Sequence, residues 1–221
     1  MVLVAGRRST LLPSELWRAP LRTVRPQDLA DIYAQPRPEV ARLVDQGVLH
    51  RVAHGYYIIV PPDYVGRTWL PGLEAAAAGI ASSIYGPDQA IVMGISAARM
   101  LGAVPRALAT AVIAVPSQHR PITLTDRSAQ VRFVRRDTDA LDAERVETPL
   151  GPALATTPEQ TVLDLARRPE LGNAEAEVRS AIATLYRGSD SSRLIQLAAD
   201  QRLGAALRRV EGWVGHEFRR T

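Results

Sequence analysis

Arg37, Glu39, Arg42 and Gln46 are spaced along the stretch PRPEVARLVDQG so that, on a helix, Val40, Leu43 and Val44 turn inward and these four polar side chains turn out. Long outward side chains of this kind can read base edges. An arginine fork spans the two acceptors of a guanine, and a glutamate accepts from a cytosine amine. Arg51 and His54 follow directly, on two β-prone runs at 48–53 and 56–60 hinged on His54-Gly55, and Arg25 and Gln27 lie just upstream. Arg25, Arg51 and His54 suit contacts to phosphate, which fix a domain on a duplex without reading its sequence. Gln27 and Gln46 complete the candidate set.

The elements that would hold these residues can be read locally. Residues 22–25 suit a short strand, and Pro26 suits the first turn of a helix, where its missing N–H costs nothing. Leu29, Ile32 and Tyr33 then share one helical face. Gln35-Pro36-Arg37-Pro38 makes a turn and starts a second helix over 36–46, which Gly47 ends. The His-Gly pair between the two β-prone runs suits a tight hairpin. Helix, turn, helix and two-stranded ribbon predict a winged helix-turn-helix over residues 1–62. Its second helix would fit a major groove, and its ribbon would lie along the backbone or in the adjacent minor groove. The competing reading of the same residues is a protein-interaction module whose arginines are merely solvated.

Composition bounds what else the chain can do. All 27 basic side chains among its 221 residues are arginine, so no reaction through a neutral or Schiff-base lysine is open to it. Arginine instead favours forked hydrogen bonds to phosphate and guanine. Residues 1–60 carry 8 arginines against 5 carboxylates, and the remainder 19 against 18, so the positive bias sits at the front. With no cysteine there is no disulfide, thiolate metal site or thiol nucleophile. His50 and His54 flank a hairpin rather than sharing a helix face, so no metal site is expected from them. The apolar run before Arg7-Arg8 is too short for a leader peptide, and the stretch 73–85 is interrupted by Glu74, so a cytoplasmic protein without membrane spans is expected.

Pro61-Pro62-Asp63 marks the expected boundary to a larger mixed α/β domain over 63–221, giving an α+β chain overall. Strands are expected at 90–93, 111–115, 130–134 and 153–156. Helices are expected over 67–85 (delayed by Pro71-Gly72), 96–101, from Thr157-Pro158, from Asn173, and over 191–213 with a break at Gly204. Thr157 and Gln160 have capping-box spacing. Gly94-Ile95-Ser96-Ala97-Ala98 nearly matches a hydrolase nucleophile elbow, but a plain helix N-cap at Ser96 explains the same residue, and no hydrolysis is expected. Glu159 and Asp164 do not share a helix face, and Asp164 reads as surface. Residues 120–136 carry five arginines against one aspartate, and 137–147 five carboxylates against one arginine. These blocks either neutralise each other across a hairpin, or the basic one faces DNA or an acidic partner.

Four segments in order, VARLVDQGVLHRVAHGYYII, ISAARMLGAVPRAL, VRFVRRD and TPLGPALATTPEQTVLDLA, resemble the AbiEi-type antitoxins of type IV toxin–antitoxin systems, over roughly residues 10–200. The resemblance implies a winged domain that represses its own operon by binding promoter inverted repeats, with self-association on DNA compatible with paired half-sites. It also implies a C-terminal domain that counteracts a nucleotidyltransferase-like toxin. In that family the basic surface of the C-terminal domain also holds DNA, which adds Arg132, Arg135 and Arg136 to the candidate set. No catalytic residue and no cofactor are implied. The alternative is a ligand-responsive winged-helix transcription factor.

Overall fold

The computed structural model describes residues 12–217. The opening apolar run and Arg7-Arg8, on which the leader-peptide expectation rests, lie outside the described residues.

Among these residues α1 (Ser14–Trp17) leads into a three-stranded antiparallel sheet of order β1-β3-β2, made of β1 (Thr23–Val24), β2 (Leu49–Ala53) and β3 (Tyr56–Ile59). α2 (Pro36–Asp45) packs on it and buries Val40 and Leu43 against Leu16, Val24, Leu49 and Ile59. Gly47 ends α2 with φ at 69°, and Gly55 turns the hairpin with φ at 81°, both in the left-handed region that a side chain disfavours. The second helix and the ribbon therefore form as read, and the strand expected at 22–25 forms over Thr23–Val24 alone.

The helix expected from Pro26 does not. Pro26–Leu29 is one 3-10 turn. Asp28 accepts from the Arg25 backbone N–H at 2.9 Å and closes that turn at its start. Beyond it Tyr33 N–H bonds Leu29 O at 2.9 Å, and Gln35, preceding Pro36, is forced out of the helical region (φ −132°, ψ 79°).

After a 3-10 turn at Pro62–Tyr64, α3 (Leu73–Tyr85) begins just past Pro71-Gly72 and is buried on all sides through Ser82. The second sheet has six strands in the order β6-β7-β5-β4-β9-β8. They are β4 (Ile91–Val92), β5 (Thr110–Val115), β6 (Ile122–Thr123), β7 (Gln130–Arg135), β8 (Ala143–Val146) and β9 (Ala153–Thr156). β5–β7 and β4–β9 run parallel, and the other pairs run antiparallel. α4 (Gly94–Met100), α5 (Pro158–Arg167), α6 (Glu175–Tyr186), α7 (Ser191–Asp200) and α8 (Gly204–Glu217) complete a mixed α/β arrangement. Asn173 does not cap α6; it takes φ of 56° one residue before the cap at Ala174.

The topology overturns the hairpin reading of the charge blocks. β7 carries the basic block and β8 part of the acidic one, and three strands separate them. The two sheets are stitched together instead: Thr125 N–H donates to Val52 O at 2.9 Å, and Ala53 bridges Leu124. Val52, Ala53 and Ile58 join the large core. No helix among the described residues is long and apolar enough to cross a membrane.

Candidate nucleic-acid interface

An open cleft of about 1170 Å3 runs between α2 and the β2–β3 hairpin, with Arg25, Gln27, Arg37, Arg51, His54 and Tyr57 on its walls. The helix period divides the α2 candidates. Arg37, Ala41 and Val44 line this cleft, whereas Glu39, Arg42 and Gln46 form the neighbouring stripe. Arg37 is exposed, and no hydrogen bond or ion pair engages it among the described residues. Arg42 is held by its own helix: its Nε donates to Glu39 at 2.9 Å, its Nη2 also reaches Glu39, and its Nη1 donates to Gln46 at 3.0 Å. The hydrogen bond from Arg42 keeps the Glu39 carboxyl below the usual range. Pairs this exposed are weak and exchange readily for another anion.

Around the cleft the remaining candidates are also oriented by neighbours. Arg25 forks onto Asp28 at 2.9 and 3.1 Å, and Arg51 Nη2 meets His54 Nδ1 at 3.0 Å at the hairpin tip. Gln27 is exposed. His50, which sequence places on the wing, turns away from this surface. Its Nε2 lies 2.7 Å from Asp126 Oδ2, and its ring stands edge-on to Trp69 with centroids 5.9 Å apart.

Asp126 is the carboxylate that fastens hairpin to large sheet. Burial pushes its carboxyl up, but hydrogen bonds from Arg127 and His50, with their charges, outweigh this and hold it below the usual range. A carboxyl depressed in the folded state contributes stability that is present above its unfolded value of about 3.9 and is lost as pH falls through the folded value. Urea unfolding of the parent chain is therefore expected to lose more stability on acidification from about pH 5 to about pH 2 than unfolding of Asp126→Asn. Parallel pH profiles would show that this fastening contributes nothing.

On β7 the arginines do not form one surface. Arg132 is half-buried, Arg135 is exposed at the strand end, and by strand alternation they point to opposite faces. Arg136 turns inward. Its Nη1 donates to Asp164 Oδ1 at 2.8 Å and its Nη2 to Gln201 Oε1 at 3.4 Å. Arg136 therefore leaves the DNA-contact set, and Asp164 is not a surface residue: its side chain is 1% exposed. Gln160 donates to Asp164 and to Gln201, at 3.4 and 3.2 Å. Burial pushes the Asp164 carboxyl above the usual range, against the opposing pull of the Arg136 charge.

The TTPEQT stretch works inward throughout. Thr157 caps α5 by accepting from Gln160 N–H, Glu159 accepts from Asp190 N–H at 2.8 Å, and Thr161 bonds Thr156 at 2.7 Å. The capping box is half made, because the Gln160 side chain joins the Asp164 network instead. Ser96 is fully buried, and its hydroxyl accepts from Val112 N–H at 2.9 Å. It is neither an exposed nucleophile nor the N-cap, which is Met93. Among the described residues no cluster of three or more histidines and carboxylates is arranged to hold a metal.

The profile of the AbiEi antitoxin C-terminal domain matches residues 90–211, more than half of the chain. The chain belongs to the AbiEi antitoxin family. This gives it the antitoxin role of a toxin–antitoxin pair. The matched segment runs from β4 into α8, so the Arg136–Asp164–Gln201 network lies inside the antitoxin domain, while the cleft beside α2 lies before it. Among solved structures, the RV2827C protein from Mycobacterium tuberculosis is similar to this antitoxin in fold, with a TM-score of 0.56 at 20% identity over 91% of this chain and 78% of that one. A search of curated proteins found no match.

Proposed function

We propose that this AbiEi antitoxin represses its own operon by binding promoter inverted repeats through residues 1–62, acting as a winged helix-turn-helix, and counteracts a nucleotidyltransferase-like toxin through residues 63–221. The observation that carries the DNA reading is the cleft between α2 and the hairpin, with Arg25, Arg37, Arg51 and His54 around one opening. In this reading α2 enters a major groove. Arg37, unengaged by any carboxylate among the described residues, reads a base edge, and Arg42 exchanges Glu39 for DNA. The hairpin tip and Arg25 hold phosphates, and Arg132 adds a backbone contact from its face of β7 in the large domain. Pairing of two copies on the repeats follows from the two-fold symmetry of such sites.

The test is a fluorescence-anisotropy titration of the full chain on its upstream promoter duplex. An Arg37→Ala, Arg42→Ala double variant is expected to bind at least about tenfold more weakly, since one bidentate base contact is worth about 1–3 kcal/mol. Arg51→Ala is expected to weaken specific and non-specific duplexes alike and to lower the salt dependence by about one counterion. An unchanged affinity in the double variant removes α2 from the account. Rescue from the neighbouring toxin on co-expression, retained by this DNA-defective variant, would separate the two activities.

A further inference from the structure

The antitoxin domain holds a second concavity apart from the α2 cleft. Where the end of β7 meets the last turn of α5, a cavity of about 100 Å3 is lined by Arg135, Arg136, Arg167 and Arg168, with Asp164 also in its wall. Arg135 and Arg167 are exposed and make no hydrogen bond or ion pair among the described residues. Arg168 has only a solvent-exposed contact to Glu170 at 3.4 Å. Arg136 is turned to Asp164 and Gln201. Asp164 accepts through Oδ1, while its Oδ2 is buried with no partner. A buried acceptor left without a donor is rare and points to a missing water or ion.

Three arginines with free donors call for a compact oxyanion, since guanidinium forks match its oxygens. The Asp164 carboxylate in the same wall would repel any fully ionised anion. It would reward one that still carries a proton on oxygen, because that proton can be donated to it. A cavity of about 100 Å3 has room for one tetrahedral ion.

We propose that this cavity is a binding site for hydrogen phosphate, whose unprotonated oxygens take the guanidinium donors of Arg135, Arg167 and Arg168 and whose P–OH donates to Asp164 Oδ2. The carboxylate separates this site from a backbone contact to DNA. A phosphodiester has no P–OH, and neither does sulfate. A phosphate monoester, with its second pKa near 6, has lost its own at pH 8, whereas inorganic phosphate retains one.

The experiment is calorimetric titration of the full chain at about pH 8, in a buffer free of phosphate and sulfate, with inorganic phosphate, methyl phosphate, dimethyl phosphate and sulfate in turn. Saturable 1:1 binding of inorganic phosphate is expected, with dimethyl phosphate and sulfate at least tenfold weaker. Methyl phosphate weaker than inorganic phosphate assigns the site to the free ion. Methyl phosphate equal to it, having no P–OH at this pH, overturns the donation to Asp164 Oδ2. Arg135→Gln and Arg167→Gln, both at exposed side chains, are each expected to weaken phosphate at least fivefold, and Asp164→Asn to abolish the preference over sulfate. If Asp164→Asn does not fold, the sulfate comparison on the parent chain and the two arginine variants carry the test. Absence of saturable phosphate binding, equal affinity for sulfate, or unaltered binding in both arginine variants overturns the proposal. Promoter binding of the same parent protein is read separately, so failure here leaves the α2 cleft untouched.

Discussion

Arg136→Met is expected to destabilise the protein by about 3–5 kcal/mol, the usual cost of removing one partner of a buried ion pair. In a chain of this size that lowers the thermal midpoint by roughly 6–20 °C. The cost arises on the side that remains. Asp164 is 1% exposed and already lacks a partner for Oδ2, so without the guanidinium its only remaining hydrogen bond is from the Gln160 amide at 3.4 Å. Gln160 and Gln201 bond each other at 2.5 and 3.2 Å and stay satisfied. The loss should therefore be assignable to the stranded carboxylate rather than to collapse of the network. Adding Asp164→Leu to Arg136→Met should restore most of the stability, because replacing both members of a buried pair by apolar groups is close to neutral. A double-mutant cycle by urea denaturation reads this directly. A single-variant loss below about 1 kcal/mol would mean that water reaches the pair and that Arg136 is free to act at the surface after all.

That network also shows where sequence reading stops. α2 and the hairpin were legible because each signal is local: apolar residues at 40, 43 and 44, β-branched runs, and glycines at 47 and 55 that both take positive φ. The last large strands and the Thr157 cap were legible for the same reason. Asp164 was not. Every residue from Glu159 to Ala166 is buried, so α5 has no polar face against which a helical wheel can sort its side chains. What makes Asp164 tolerable inside is Arg136, 28 residues earlier, and this contact exists only once the strands are ordered. The same limit hid the separation of the charge blocks: adjacent in sequence, they lie at opposite sides of the six-stranded sheet because β5, β4 and β9 pair between them. β6 and β8 carry too few apolar residues to announce themselves. Of the candidate interface, the residue types and the hairpin were readable. That Arg42 is engaged by Glu39 while Arg37 is not, and that His50 faces Asp126, depends on rotamers and on a neighbouring loop.

A close approach between β1 and α3 also helps to place the hairpin, and Gly79→Val is expected to cost about 3 kcal/mol through it. Gly79 sits inside α3 where β1 crosses, and a Cβ there would stand 2.1 Å from Thr23 Oγ1, 3.1 Å from Thr23 Cβ and 3.3 Å from Leu21 Cβ. Thr23 cannot swing aside cheaply: it is 2% exposed, and its hydroxyl donates to Leu21 O at 3.1 Å. Helix propensity opposes the loss, because replacing a helical glycine gains up to about 1 kcal/mol, so an isolated α3 would be strengthened by the substitution that undocks it. Gly79→Ala should thus destabilise less than Gly79→Val. Combining Gly79→Ala with Thr23→Ala, which removes the hydroxyl at 2.1 Å, should bring stability back toward the parent. Thr23 and Val24 pair with Ile58 and Tyr57 of β3, so displacement of β1 reaches the hairpin. Promoter affinity of Gly79→Val at a temperature where it remains folded should accordingly fall, with protease cleavage appearing first around residues 18–25. Full stability in Gly79→Val would mean that β1 and α3 separate at no cost and that this approach does not fix where the α2 cleft points.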